Sequence, residues 1–297
     1  MKTHPPALEK SRRKALATLA TLSGWAALGL PLAAAAQTTS VPEPVFGTPG
    51  KDSGWIPTPA GMVEAMLEMA GVTATDLVCD LGSGDGRIPL LAAKRYGARG
   101  LGVEYNGDLV KYSDSVALKE GLANRVKFVQ GDIFATDFTQ ATVVTLFMPP
   151  DFNRKIRPML LAMKPGTRVV AFNFGMDDWQ PDDSVYVDSQ RGMLWRVPAK
   201  VDGNWRLTFD SAESATYALH IEQKFQKVAG HLTVGNERLT LWDLRFDVDR
   251  LRFSVIHDGR RRDFDGRVIT TSAGSTLEGR MEAGGEPPRQ WRATRGA

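Results

Sequence analysis

Cysteine is nearly absent. The 297-residue chain holds one, Cys79, so no internal disulfide can form, and a single thiol fits an oxidising or a reducing compartment equally. Histidine is scarce too, at four. His220, His231 and His257 fall on separate short segments with no cysteine or close acid at ligand spacing, which argues against a metal site. A broad excess of one charge is also missing. Of the formal +3, residues 1–36 supply +4 (Lys2, Lys10, Arg12, Arg13 and Lys14 against Glu9), so the remaining chain stands at −1. A nearly neutral body has no extended field for phosphate, and nothing in the balance favours nucleic acid as a partner. Nor is there a long unbroken apolar run: residues 15–32 are mildly apolar, and Gly24, Gly29 and Pro31 interrupt them.

What is present is concentrated between positions 76 and 106, DLVCDLGSGDGRIPLLAAKRYGARGLGVEYN. An apolar run over 77–81 enters a turn with Gly82, Gly84 and Gly86. A helical stretch over 88–96 follows, and a second apolar run over 100–103 ends on Glu104. Glycines admit positive φ and let a ligand approach the backbone. A helix N-terminus presents unpaired N–H groups, and an acid at the tip of the second strand can accept from both ribose hydroxyls of a nucleoside. The glycine spacing is G-x-G-x-G rather than the G-x-G-x-x-G of dinucleotide sites, with Asp80 before it and Asp85 inside it. Those acids repel a pyrophosphate and suit a cationic sulfonium nucleoside with an amino-acid tail. DLGSGDG followed by GVEYN resembles motifs I and II of class I S-adenosyl-L-methionine (SAM) dependent methyltransferases. The resemblance implies that Asp80, Gly82, Ser83, Gly84, Gly86, Glu104 and Tyr105 hold SAM. The alternative is a structural turn without a ligand.

Downstream, 126–130 reads as a third strand leading into Gly131-Asp132-Ile133-Phe134, which resembles the place where these enzymes hold adenine, with Asp132 toward its amine and Ile133 beside it. A buried strand is predicted over 141–148. Asp151 is predicted to cap the helix that follows, which Lys164-Pro165-Gly166 stops. A fifth strand is expected over 167–174, then a hairpin turning at Gln190-Arg191-Gly192. The predicted fold is α/β: a Rossmann-like, mostly parallel sheet closed by an antiparallel hairpin, over residues 51–198. From 199 to 297 the texture changes to eight short alternating segments separated by turn residues, predicting an antiparallel β-barrel or sandwich. Gly203-Asn204-Trp205 resembles the G-x-W opening of calycin-type barrels, with Trp291 at the other end. This module either holds a ligand or presents a substrate, or is packed with no pocket. Arg260-Arg261-Arg262, flanked by Asp258, Asp263 and Asp265, reads as a solvated charge cluster in a turn.

Upstream, Trp55-Ile56-Pro57-Thr58-Pro59 precedes a predicted helix over 60–70, and the prolines make it a stiff strap near the glycine loop. Together with Arg87 in GDGRI, it resembles small bacterial relatives of mitochondrial lysine methyltransferases. Trp55 either belongs to that strap or packs beneath the loop. The D/N-P-P-Y/F acceptor motif of many class I enzymes is altered here to Phe147-Met148-Pro149-Pro150-Asp151-Phe152. Its missing acid argues against adenine, glutamine or asparagine as acceptor. Asn173, Asp177, Asp178 and Trp179 are expected at the sheet's carboxyl edge. There Asp177 or Asp178 would bind an ammonium and Trp179 would cradle it by cation–π contact, against the alternative of an acidic loop in water. The expected reaction is methyl transfer to nitrogen, with a protein lysine as acceptor. A small-molecule or lipid acceptor delivered by the β module is the second reading, and an exported nucleoside-binding protein without turnover is the third.

Ser11-Arg12-Arg13-Lys14, the apolar stretch and Ala34-Ala35-Ala36 form a targeting segment over 1–36, and residues 37–50 a linker. The twin arginines resemble a Tat signal, which implies export to the periplasm in folded form. An ordinary Sec signal and an uncleaved membrane anchor are the alternatives. SAM is made in the cytoplasm, so an exported enzyme needs resupply to turn over.

Overall fold

The computed structural model describes residues 41–51, 54–210, 217–272 and 274–296. The targeting segment and residues 37–40 of the expected linker lie outside the described residues. Apolar runs bounded by glycine, proline and acid become parallel strands: β1 (Leu77–Leu81), β2 (Arg99–Glu104), β3 (Val126–Gln130), β4 (Val143–Leu146) and β5 (Arg168–Phe172). Amphipathic stretches between them become α1 (Ala60–Met69), α2 (Arg87–Tyr96), α3 (Gly107–Lys119) and α4 (Pro150–Leu161). With β6 (Asp183–Val187) and β7 (Gln190–Arg196), the sheet order is β3-β2-β1-β4-β5-β7-β6, with β7 antiparallel to both neighbours. The order of strands across the sheet reverses between β1 and β4, the switch point outside whose carboxyl ends α/β proteins open a cleft.

Side chains alternate between the two faces. Met62, Met66 and Leu67 of α1 and Ile88 and Ala92 of α2 bury against Val78, Val143 and Val170. Ile156 and Leu160 of α4 cover Cys79, Leu81, Val144 and Leu146 on the opposite face. Cys79 is fully buried, and burial first, then the charge of Asp80, pushes its thiol pKa far up. Two local expectations need correcting. The β6–β7 turn is Asp188-Ser189, at φ 48° and 65°, not Gln190-Arg191-Gly192, which lie in β7. Asp and Ser occupy the left-handed region here without glycine, so the glycine was a false cue. The cap of α4 is Pro149 with no side-chain bond; Asp151 sits inside the first turn and pairs with Arg154 at 2.5 Å.

The second sheet has nine strands rather than eight: β8 (Gly203–Phe209), β9 (Tyr217–Lys224), β10 (Lys227–Val234), β11 (Glu237–Thr240), β12 (Trp242–Asp247), β13 (Arg250–His257), β14 (Arg260–Thr271), β15 (Gly274–Ala283) and β16 (Arg289–Arg295). The extra strand arises because one alternating stretch breaks at Leu241 into β11 and β12. All neighbours are antiparallel, β8 pairs with both β9 and β16, and β10 and β11 come close to β12 and β13, so the sheet nearly closes into a barrel. The Arg triplet opens β14 rather than forming the turn. Arg260 pairs with Glu286, and Arg261 with Asp243 and Asp263.

The barrel core is packed with its own side chains. Trp205, Leu207, Leu219, Phe253, Phe264 and Trp291 form one buried cluster. Trp205 donates its indole N–H to the Val201 carbonyl at 2.8 Å. The Arg295 guanidinium lies 4.6 Å from its ring and donates to the Asp202 and Lys200 carbonyls. Gly266 and Gly279 face each other across β14 and β15, and Gly266 makes room for Trp291: a Cβ on it would lie 2.4 Å from that ring, whereas one on Gly279 would meet the Asp265 carbonyl at 2.0 Å. Gly266→Ala should therefore cost about 1–3 kcal/mol through overpacking, read as a lower thermal midpoint. An unchanged midpoint would show that Trp291 does not fill the interior in this way.

Candidate functional site

The glycine loop leaves β1 over the end of β2. Gly82 and Ser83 donate their N–H groups to the Val103 carbonyl at 2.8 and 3.1 Å, and Ser113 of α3 donates its hydroxyl to the Gly84 carbonyl at 3.1 Å. Glu104 is then fixed from two sides. Its Oε2 accepts from the Gly84 N–H and its Oε1 from the Asn106 N–H, both at 2.9 Å. The carboxylate is 7% exposed and borders a cavity lined also by Asp80, Gly82, Ser83, Asp85, Tyr105, Leu109, Asp132 and Ile133. The structure thus gathers most of the loop and strand-end residues singled out in the sequence around one cavity. Gly84 and Gly86 belong to the loop without bordering the cavity: a Cβ on Gly84 would meet Trp55, and one on Gly86 would meet Phe128.

Asp80 is the electrostatic centre. Its carboxylate is buried and accepts from the Thr145 hydroxyl at 2.6 Å, on the neighbouring strand β4. Burial pushes its pKa up to about 7. The Thr145 bond opposes that rise, and the negative charges of Asp85 and Glu104 add to it. A cationic ligand group beside Asp80 would relieve both desolvation and repulsion. Ser83 carries a buried hydroxyl without a hydrogen-bond partner, packed toward Gly102 of β2. Acids and a tight glycine loop fit a cationic nucleoside.

On the far side Asp132 caps the turn after β3, accepting from the Phe134 N–H at 2.9 Å and from Lys51 Nζ at 2.7 Å. Those bonds, Lys51's first, hold its carboxyl below the usual range. Lys51 belongs to the segment before the strap, and no periodicity or motif announces it. The strap crosses the loop as the prolines imply, and Trp55 lies against Gly84: a Cβ there would meet the indole Nε1 at 2.1 Å, and φ is +54°. Arg87 ties the strap down, donating to both oxygens of Asp85 and to the Thr58 carbonyl. Gly84→Ala should weaken binding of S-adenosylhomocysteine (SAH) about tenfold or more, since it collides with Trp55 and strains the loop. Trp55→Ala added to Gly84→Ala should recover part of the loss in a calorimetric titration. No loss in the single variant would remove Trp55 from the site.

The remaining wall is apolar. Phe147 and Met148 at the end of β4, Phe152 of α4 and Phe134 line it. Phe147 packs on Phe172 at 4.6 Å and on Phe174 at 6.0 Å. Met148 reaches the loop, its methyl 2.3 Å from where a Gly82 Cβ would stand. This wall is what the altered P-P motif builds, and its aromatic character was not assigned from sequence. The expected acceptor group is not there. Trp179 is fully buried, packed between Trp195 and Phe225, and has no face open to an ammonium. Asp178 is engaged by Arg157 at 2.6 Å and Lys224 at 3.0 Å, which hold its carboxyl below the ordinary range, Lys224 foremost. Asp177 holds a left-handed turn at φ 61°. None of the three borders the cavity.

Comparison with known proteins finds relatives over the part of the chain that forms the first sheet. Residues 80–183 fit the family model described as the ANTKMT methyltransferase domain, so the barrel lies outside it. A protein-lysine N-methyltransferase of Saccharolobus islandicus is 39% identical over 136 residues, 45% of this chain and 84% of that protein. The adenine nucleotide translocase lysine N-methyltransferase of Mus musculus is 36% identical over 104 residues, 34% of this chain; the chain spans 45% of that relative's length. A crystal structure of an RNA methyltransferase from Salinibacter ruber with SAH is 46% identical, covering 49% of this chain and 96% of that one, at a TM-score of 0.48. Among the described residues no helix is long and apolar enough to cross a membrane. On its identity to the archaeal protein across most of that protein's length, this chain belongs to the family of class I, SAM-dependent methyltransferases that includes the protein-lysine N-methyltransferases.

Proposed function

We propose that this protein methylates the side-chain nitrogen of lysine in a protein acceptor. The observation that carries the reading is the pairing of an acidic cavity floor with an aromatic wall lacking a carboxylate of its own. Glu104 is set to accept from ribose hydroxyls, Asp80 to pair with the α-ammonium, Asp132 to receive the adenine amine once Lys51 yields, and Ile133 and Tyr105 to flank the nucleoside. SAM, when bound, supplies an electrophilic methyl carbon on a cationic sulfur. Trp55, Phe147, Met148 and Phe152 exclude water from the acceptor side, which favours the neutral amine over the ammonium. The lysine gives up its proton to bulk water before it enters this dry wall, and Asp85, engaged by Arg87, is not free to act as its base. Positioning then contributes most of the acceleration. The lysine-methyltransferase names of the archaeal and mouse relatives support this acceptor over a lipid or small molecule.

The test is calorimetry with SAM and SAH on residues 37–297, followed by transfer of tritiated methyl from SAM into cell extracts. Micromolar binding and label in protein that hydrolyses to methyl-lysine are expected. Folded protein that binds neither compound would sink the reading, and label in RNA would replace its acceptor.

A further inference from the structure

The barrel core is filled by its own side chains, so its effect on the site runs through its surface, and one turn makes the connection. Between β9 and β10, Phe225 adopts φ 56° and leaves the barrel to join the core beneath the first sheet. Its ring stacks on Trp179 at 5.8 Å and 25°, and the Arg157 guanidinium of α4 lies 5.5 Å from its centroid as a cation–π partner. Arg157 also donates to the Met176 carbonyl at 2.8 Å and to Asp178. Lys224 closes on the same Asp178, and Gln226 donates to the Gln180 carbonyl at 2.7 Å and to Asp182 at 3.0 Å. Three consecutive barrel residues therefore grip the loop that follows β5 from one side. Asn153 of α4 grips it from the other, donating to the Phe174 and Gly175 carbonyls.

These held elements carry the aromatic wall. Phe174 stacks on Phe147, and α4 carries both Phe152, which lines the cavity, and Arg157, which meets Phe225. We propose that Lys224-Phe225-Gln226 is a positioning element for the acceptor side of the cavity, holding α4 and the loop after β5 so that Phe147, Phe152 and Phe174 keep their places. The barrel is then a brace for the acceptor wall rather than a ligand carrier. This rests on the methyltransferase reading of the cavity.

The test compares Phe225→Ala and Phe225→Tyr with the full wild-type chain, each shown folded by circular dichroism. Two ligands are titrated: SAH, which stops at sulfur, and sinefungin, whose amine stands where the transferable methyl would be and faces the acceptor wall. Phe225→Ala should keep SAH affinity within about twofold and lose sinefungin affinity about fivefold. Amide exchange over 173–178 should quicken in the same variant, and Phe225→Tyr, which retains the stack, should restore both. A merely structural role would lower both affinities together or neither, so an unmoved ratio of the two overturns the inference even if exchange quickens. Wild-type protein that binds neither ligand overturns the methyltransferase reading and this inference with it.

Discussion

Glu104→Ala is expected to reduce SAH affinity at least about 100-fold, the largest loss for any single side chain in the cavity. Two charge-assisted hydrogen bonds to ribose hydroxyls are each worth about 1.5–3 kcal/mol, and the carboxylate that makes them is already oriented by the Gly84 and Asn106 N–H groups. Truncation removes those bonds and also strands two backbone donors, which loosens the loop itself. Glu104→Gln should fall between the two, because its amide can face only one of those N–H groups as an acceptor. Calorimetry at a fixed pH decides the matter, and unchanged affinity in the alanine variant would refute the ribose role.

Asp80→Asn should separate stability from binding. With its pKa raised to about 7 in the folded protein against 3.8 for the ordinary side chain, Asp80 takes up a proton on folding across the interval between those values. Ligand-free stability from this group is therefore fully present below about pH 4 and is lost as pH rises through 7. Removing the charge should make the ligand-free protein more stable at pH 8, by about 1–3 kcal/mol. Binding has the opposite sign. A ligand ammonium needs the ionised carboxylate, so wild-type affinity should fall about tenfold per unit below pH 7. In Asp80→Asn it should be weak and insensitive to pH through this range. A variant that is no more stable at pH 8, or that keeps the wild-type pH profile, would show that Asp80 is not the titrating group.

What the sequence disclosed follows the reach of each interaction. The β1–loop–α2–β2 unit is legible because its cues lie within one local stretch: glycine spacing, an apolar run on either side and Glu104 at the end. Trp55 was ambiguous because nothing local shows that the strap folds back over Gly84; the contact spans 29 positions. The acceptor assignment failed for the same reason in stronger form. Asp177-Asp178-Trp179 looks like an exposed acidic loop until Phe225 and Lys224 arrive from the barrel and bury or neutralise it. The Asp188-Ser189 turn misled because non-glycine residues hold positive φ there, against the usual cue of an adjacent glycine. The barrel was visible as alternating segments, but the break at Leu241 depends on closure of the sheet, which no short window encodes.

The buried thiol of Cys79 offers a clock. It is the chain's one cysteine, lies on an inner strand of the first sheet, and is protected both by lack of access and by its raised pKa. An alkylating reagent can reach it only when that strand opens, so the rate of modification at saturating reagent reports the opening rate of the sheet. The untouched protein thus carries its own reporter, and slower labelling in the presence of SAH would measure how strongly an occupied cavity holds the sheet shut.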